Sequence, residues 1–151
     1  MISSTALIQK SCCIFAIAFA STLSCASTAA RDLVVIVSAK RPATALSAPQ
    51  LADIFLAQAE RFPNGDNATP LDLSLDSPLR DQFYTRVAAK SPVLVRAYWT
   101  KMVFTGRGLP PREISSSVAM RKLVAANPSL IGYIDSSALD DSVQVVMTIA
   151  K

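Results

Sequence analysis

Leu71-Asp72-Leu73-Ser74-Leu75-Asp76-Ser77-Pro78-Leu79-Arg80-Asp81-Gln82-Phe83 is a stretch in which the hydrophobic period changes. Leu71, Leu73 and Leu75 alternate with Asp72, Ser74 and Asp76, the period of a half-buried strand over residues 71–75. From Leu79 the apolar residues recur every fourth position, at Phe83 and Val87, which lays one stripe along a helix running to about Lys90. Ser77 is a good N-cap, because its hydroxyl can accept from a free amide of the first turn. Pro78 suits the first helical position, where its missing N–H costs nothing. The segment therefore reads as strand, tight turn, helix. A helix N-terminus at a strand end offers free N–H groups and the positive end of the helix dipole to an anion. Two readings of Ser77 stand at this point, a structural cap and an anion contact. Arg80 sits in the first turn, where the dipole disfavours a cation, so its presence implies a ligand or an acidic neighbour such as Asp76.

Upstream, Leu33-Val34-Val35-Ile36-Val37 is a continuous β-branched run and predicts a central strand buried on both faces. Ser47-Ala48-Pro49-Gln50 opens a helix that carries Leu51, Ile54 and Phe55 on one face and stops near Gln58, before the turn Phe62-Pro63-Asn64-Gly65. Downstream, Ser91-Pro92 repeats the Ser-Pro helix start. The helix it opens has a broad apolar face of Leu94, Val95, Tyr98, Trp99, Met102 and Val103, which predicts packing on more than one neighbour, and Gly106 and Gly108 end it. Ile114 falls in a short strand. Ser116 or Ser117 starts a helix with Val118, Leu123 and Val124 inward, which Asn127-Pro128 stops. Leu130-Ile131-Gly132-Tyr133-Ile134 reads as a strand whose glycine marks a bulge or a close backbone approach. Val143 to Ile149 is the last strand, with Val145 and Met147 opposite Val146 and Thr148. Strands alternating with helices, with no repeat or linker between them, predict one α/β layered domain.

The 151 residues are 51% hydrophobic and 17% charged, which suits one folded domain. Residues 1–30 have the layout of a secretory signal peptide: Lys10, an apolar run from Cys12 to Ser24, then small residues before Arg31, with cleavage expected after Ala29 or Ala30. All three cysteines, Cys12, Cys13 and Cys25, lie in this leader, so the mature domain, 31–151, is expected to fold without disulfides. Cys25 also stands as a weak match to a lipidation site. The formal charge is +4, and Lys10 leaves with the leader. The basic residues are dispersed among acids, without a basic stripe interleaved with aromatics, which argues against nucleic-acid binding. The pair Lys40-Arg41 reads as a solvated loop.

No histidine occurs in the chain, which removes the commonest general base and metal ligand. Asp135 and Asp140-Asp141 match no calcium-loop spacing and read as turn residues. Ser91 beside Lys90 makes a poor Ser-Lys pair, since adjacent residues do not face each other on a helix. Neither catalysis nor a metal or other cofactor is expected.

Three segments then resemble a known family. Leu46-Ser47-Ala48-Pro49-Gln50-Leu51-Ala52-Asp53-Ile54-Phe55-Leu56 is similar to the segment ending in Ile-Phe of phosphate-transporter substrate-binding proteins of the periplasmic type. Asp76 to Phe83 falls where that family has a Ser-Gly-Thr anion turn followed by a helix with Phe. Asn127-Pro128-Ser129-Leu130-Ile131-Gly132-Tyr133-Ile134 is similar to its strand with the pattern Ile-Gly-Tyr. The resemblance implies one α/β lobe of a periplasmic-binding-protein-like fold, a small mixed sheet flanked by helices. It also implies a non-enzymatic periplasmic protein that binds phosphate or a similar small anion and works with a membrane transporter. The Gly and Thr of the family turn are Pro78 and Leu79 here, so Ser77 carries over by identity, with the Leu79 amide and Arg80 as the other expected ligand-binding groups. Pro78 donates no N–H and Leu79 has no hydroxyl, which argues against a conventional high-affinity site. A single lobe buries the ligand on one side only, so water competes and the expected Kd is on the order of millimolar, about −4 kcal/mol. The alternative is a non-catalytic envelope interaction module that keeps the fold without the ligand site, docking an envelope protein through the face around Tyr98 and Trp99.

Overall fold

A computed structural model describes residues 32–42 and 44–150. The expected leader, its cleavage site and the cysteines lie outside the described residues. The elements are β1 (Leu33–Ser38), α1 (Ala48–Phe55), β2 (Thr69–Leu73), α2 (Pro78–Val87), α3 (Pro92–Phe104), β3 (Arg112–Ile114), α4 (Ser117–Ala126), β4 (Leu130–Asp135) and β5 (Val143–Ile149). The strands form one mixed sheet in the order β3-β2-β4-β1-β5. β1 runs antiparallel to β4 and β5, while β2 runs parallel to β3 and β4. All six residues of β1 are buried, as its unbroken apolar run predicts. The architecture is the small mixed sheet flanked by helices that the sequence led us to expect.

Most helix starts follow local chemistry. The Ser91 hydroxyl accepts from the Leu94 amide and the Ser116 hydroxyl from the Ala119 amide. The Gln50 side chain accepts from the Ser47 amide at the start of α1. Gly106, at φ 65°, ends α3: its amide donates to the Val103 carbonyl and the Arg107 amide to that of Met102, the Schellman arrangement.

Several boundaries and faces differ from expectation. α1 stops at Phe55, short of Gln58, because Ala57 turns to φ 54° and closes the same Schellman arrangement through Gln58 N–H to Asp53 C=O at 2.8 Å. Ala57 carries no glycine signal, so this stop was invisible in the sequence. α2 likewise ends at Val87 rather than near Lys90, with Ala89 at φ 49°. β2 covers 69–73 instead of 71–75, and Leu75 lies 60% exposed beyond its end. On α4 the buried residues are Met120 and Val124, while Val118 faces water. In β5 the strict alternation fails: the register against β1 slips between Val35 and Ile36, skipping Val146, so Val143, Val146 and Ile149 are buried and Val145 is exposed. Of the broad apolar face of α3, Val95 and Trp99 are buried, and Leu94 and Val103 are about half exposed. Tyr98 and Met102 pack partly buried against the core, with the Tyr98 hydroxyl donating to the Leu56 carbonyl at 2.6 Å.

The core centres on four aromatic rings. Phe83 of α2 stacks on Tyr133 of β4 at 4.1 Å between ring centroids, with planes 4° apart. Phe55 tilts against both rings, and Tyr84 meets Phe83 edge-on at 5.4 Å. Gly132 allows α4 to approach the sheet: a Cβ there would stand 2.5 Å from the Met120 sulfur. The close approach expected at this glycine is present, and the register irregularity lies on the β1–β5 pair instead.

Candidate anion-binding site

β2 ends beside the start of α2, and the tight turn Ser74–Ser77 is closed by the Ser77 amide on the Ser74 carbonyl at 2.9 Å. Ser77 occupies the N-cap position in extended conformation, but its hydroxyl makes no capping hydrogen bond, against expectation. Its carbonyl takes the Arg80 amide at 3.0 Å and the Asp81 amide at 3.3 Å, so the Arg80 backbone N–H is already engaged. The Leu79 amide has no acceptor among the described residues. Ser77 and Leu79 are half-buried and do not line the neighbouring clefts, whereas Arg80 lines both.

Arg80 is the focal group. Its acidic neighbour is Asp72 and not Asp76: Nε donates to Asp72 Oδ2 at 3.0 Å, and the two side chains are 7% and 2% exposed. Asp72 was expected on the polar face of a half-buried strand, yet it is 1% exposed. Burial of such a carboxylate is tolerable only with full pairing. The Tyr84 hydroxyl donates to Oδ2 at 2.9 Å, and Oδ1 accepts from the Tyr133 hydroxyl and from its neighbour Leu73 N–H at 2.9 Å. Four donors therefore saturate one carboxylate, and Asp72 aims Arg80.

The electrostatics follow from this packing. Burial pulls the Arg80 pKa down, but the adjacent Asp72, with smaller effects from the two phenols, more than offsets it, and the net shift is upward. Burial first, and then the nearby Asp72 charge, hold the Tyr84 and Tyr133 phenols far above their ordinary range. Both remain neutral donors. Trp99, 6% exposed, closes one side of the cluster. Its indole N–H makes no hydrogen bond of ordinary geometry, although its nearness to the Tyr84 phenol works slightly against that group's upward shift.

With Nε held by Asp72 and the guanidinium 5.0 Å from the centroid of the Tyr84 ring, Nη1 and Nη2 of Arg80 have no hydrogen-bond partner among the described residues, and neither is sealed from solvent. They border two clefts. The larger, about 480 Å³, is walled by Leu75, Trp99, Val103, Phe104, Pro110 and Pro111. The smaller, about 360 Å³, is bordered by Asp76, Asp81 and Pro92. Arg96 lines both and is exposed, with no ion pair among the described residues. A guanidinium with Nη groups free of hydrogen bonds can hold an oxyanion through two oxygens at once. Asp76 and Asp81 oppose that attraction.

The remaining charged residues are engaged elsewhere or exposed. Arg41 is not in a solvated loop: its fork donates to the Pro128 carbonyl and to Asp66, and it lies over the Phe62 ring at 3.9 Å. Asp135 and Asp140 act as turn residues, accepting from the Ser137 and Ser142 amides. Among the described residues no group of three or more His, Cys, Asp or Glu side chains is arranged to hold a metal.

No protein-family model matches the sequence, and no curated protein matches it. Solved structures do match the fold. A protein of Clostridium perfringens, described as a phosphate ABC transporter substrate-binding protein and solved with bound phosphate, superposes with a TM-score of 0.62 at 22% identity, over 77% of this chain and 44% of its own. An ABC-type phosphate transport receptor from Vibrio cholerae gives 0.61 at 19% identity, over 78% and 46%. PstS from Borrelia burgdorferi gives 0.55 at 13% identity, over 77% and 46%. This chain thus spans under half the length of the structures it matches. Its described residues have the fold of one lobe of the phosphate-transport substrate-binding proteins.

Proposed function

We propose that this chain is a non-enzymatic solute-binding protein that captures phosphate or a related small anion at the start of α2 and serves a membrane transporter. The observation that carries this reading is Arg80: the residue is 6% exposed, fixed at Nε by Asp72, with neither Nη group in a hydrogen bond among the described residues, at a cleft wall. Arg96 adds a second cation, and the free Leu79 amide a neutral donor at the helix start. In this reading the ligand on Arg80 extends to the helix start, where Ser77, which lines neither cleft, offers its uncommitted hydroxyl from the rim. Residues 1–30 act as a signal peptide and the mature protein works in the periplasm; no helix among the described residues is long and apolar enough to cross a membrane. The likeness in fold to phosphate-transport receptors supports solute capture and lends nothing to a module without a ligand.

One open lobe leaves water on one side of the ligand, and Asp76 and Asp81 stand close, so affinity is weak, on the order of millimolar. The test is an NMR titration with inorganic phosphate, comparing the unmodified chain with Ser77→Ala and Arg96→Ala. Saturable shifts of the Leu79 and Arg80 amides, weakened severalfold in either variant, are expected. Absence of any shift at tens of millimolar phosphate would remove the reading.

A further inference from the structure

The larger cleft at Arg80 is shaped for more than a bare oxyanion. At about 480 Å³ it is in the size range that encloses an organic molecule, and a phosphate on the Arg80 fork fills a small part of it. Its walls leave large apolar side chains open to water beside a buried cation: Phe104 is 91% exposed, Leu75 60% and Val103 49%. These exposed side chains lie together on one wall of the cleft and offer apolar contact to a molecule held at Arg80. The formal charges on the wall, Arg80 and Arg96 against Asp72 and Glu113, balance, so the cleft draws a bare anion only weakly from a distance. Affinity must then come from the directional Arg80 fork together with apolar contact.

We propose that this cleft takes an organic anion, with a phosphate monoester or carboxylate head on the Nη groups of Arg80 and on Arg96, and an apolar body against Trp99, Val103, Phe104 and the Pro110-Pro111 pair. The inference rests on the anion reading of Arg80 above and specifies the class of ligand. The head is held by a fork of fixed geometry, because Asp72 locks Nε. The body is held by apolar area, which is non-directional, so affinity rises with chain length, by roughly twofold to fourfold for each methylene that leaves water.

Trp99 is the only tryptophan in the chain and stands in the wall, so its fluorescence reports occupancy of the cleft directly. The experiment titrates the full chain with inorganic phosphate, n-butyl phosphate and 1-butanol, following Trp99 emission and the Arg80 amide by NMR. Butyl phosphate is expected to bind at least tenfold tighter than phosphate and to shift Trp99 emission. Phe104→Ser, at a side chain too exposed to matter for folding, is expected to shrink the butyl-to-inorganic ratio at least threefold. Equal affinity for the two anions without change in Trp99 would overturn the organic-anion inference and leave capture of a bare anion intact. Binding of 1-butanol as tight as that of butyl phosphate would remove the role of the head. Concentration-dependent dimers abolished by Phe104→Ser would assign the apolar wall to a second copy of the chain and likewise overturn it. No response to either anion would sink the anion reading of Arg80 together with this inference.

Discussion

Replacing Asp72 with Asn removes one charge and almost no volume, which isolates the electrostatic role of the buried carboxylate. All four groups that meet it donate: Arg80 Nε–H, the two tyrosine hydroxyls and the Leu73 amide. An asparagine must place its NH2 at one of the two oxygen positions. At the Oδ2 position it opposes Arg80 Nε–H, and at the Oδ1 position it opposes the Leu73 N–H. The tyrosine hydroxyls can rotate to accept, but a guanidinium and a peptide N–H cannot. Arg80 meanwhile stays buried without its counter-charge, and breaking such a pair costs about 3–5 kcal/mol. Against a total stability on the order of 5–15 kcal/mol that is a large share, and it lowers the thermal midpoint by roughly 10–20 °C. Calorimetry and urea unfolding of Asp72→Asn measure the loss. A double-mutant cycle with Arg80→Met, which removes the unpaired charge, should recover part of it through a coupling of at least about 1 kcal/mol. A loss below about 1 kcal/mol for Asp72→Asn, or additivity in the cycle, would show that water screens the pair and that Asp72 does not anchor Arg80.

Alkaline pH should destabilise the fold through the same cluster. Folded Tyr84 and Tyr133 have pKa values raised far above the unfolded value near 10, so their contribution is complete below pH 10 and is lost as pH rises above it, because the unfolded chain releases those protons first. By pH 11 the loss is on the order of 1 kcal/mol for each phenol, and a urea midpoint unchanged between pH 8 and pH 11 would contradict the burial of both. Gly132→Ala should cost about 1–3 kcal/mol, since its Cβ would sit 2.5 Å from the sulfur and 2.9 Å from Cγ of the fully buried Met120. Pairing it with Met120→Ala should recover part of that loss, and strict additivity of the two in denaturant midpoints would show that they do not meet.

Those features whose cause lies within a few residues were legible in the chain. The unbroken β-branched run of β1 reads as a strand covered on both faces because no polar residue interrupts it. Ser91 and Ser116 cap their helices because a hydroxyl reaches an amide three residues on. Gly106 and Gly132 are glycines because one requires a positive φ and the other a close neighbour. The turn from β2 into α2, and Arg80 as a cation in need of an acidic partner, were likewise visible locally. The identity of that partner was not. Alternation in residues 71–75 placed Asp72 toward water, since a period of two distinguishes two faces but does not reveal what stands opposite either one. Its partners are Arg80 eight residues away, Tyr84 twelve and Tyr133 sixty-one, and only the pairing of β4 beside β2, with α2 packed over them, brings the four together. The exposed face of α3 shows the same limit: an apolar stripe records that a helix has something to cover, and only the tertiary packing decides that Val95 and Trp99 meet the core while Val103 and Phe104 border an open cleft, because burial depends on which neighbours arrive from distant parts of the chain.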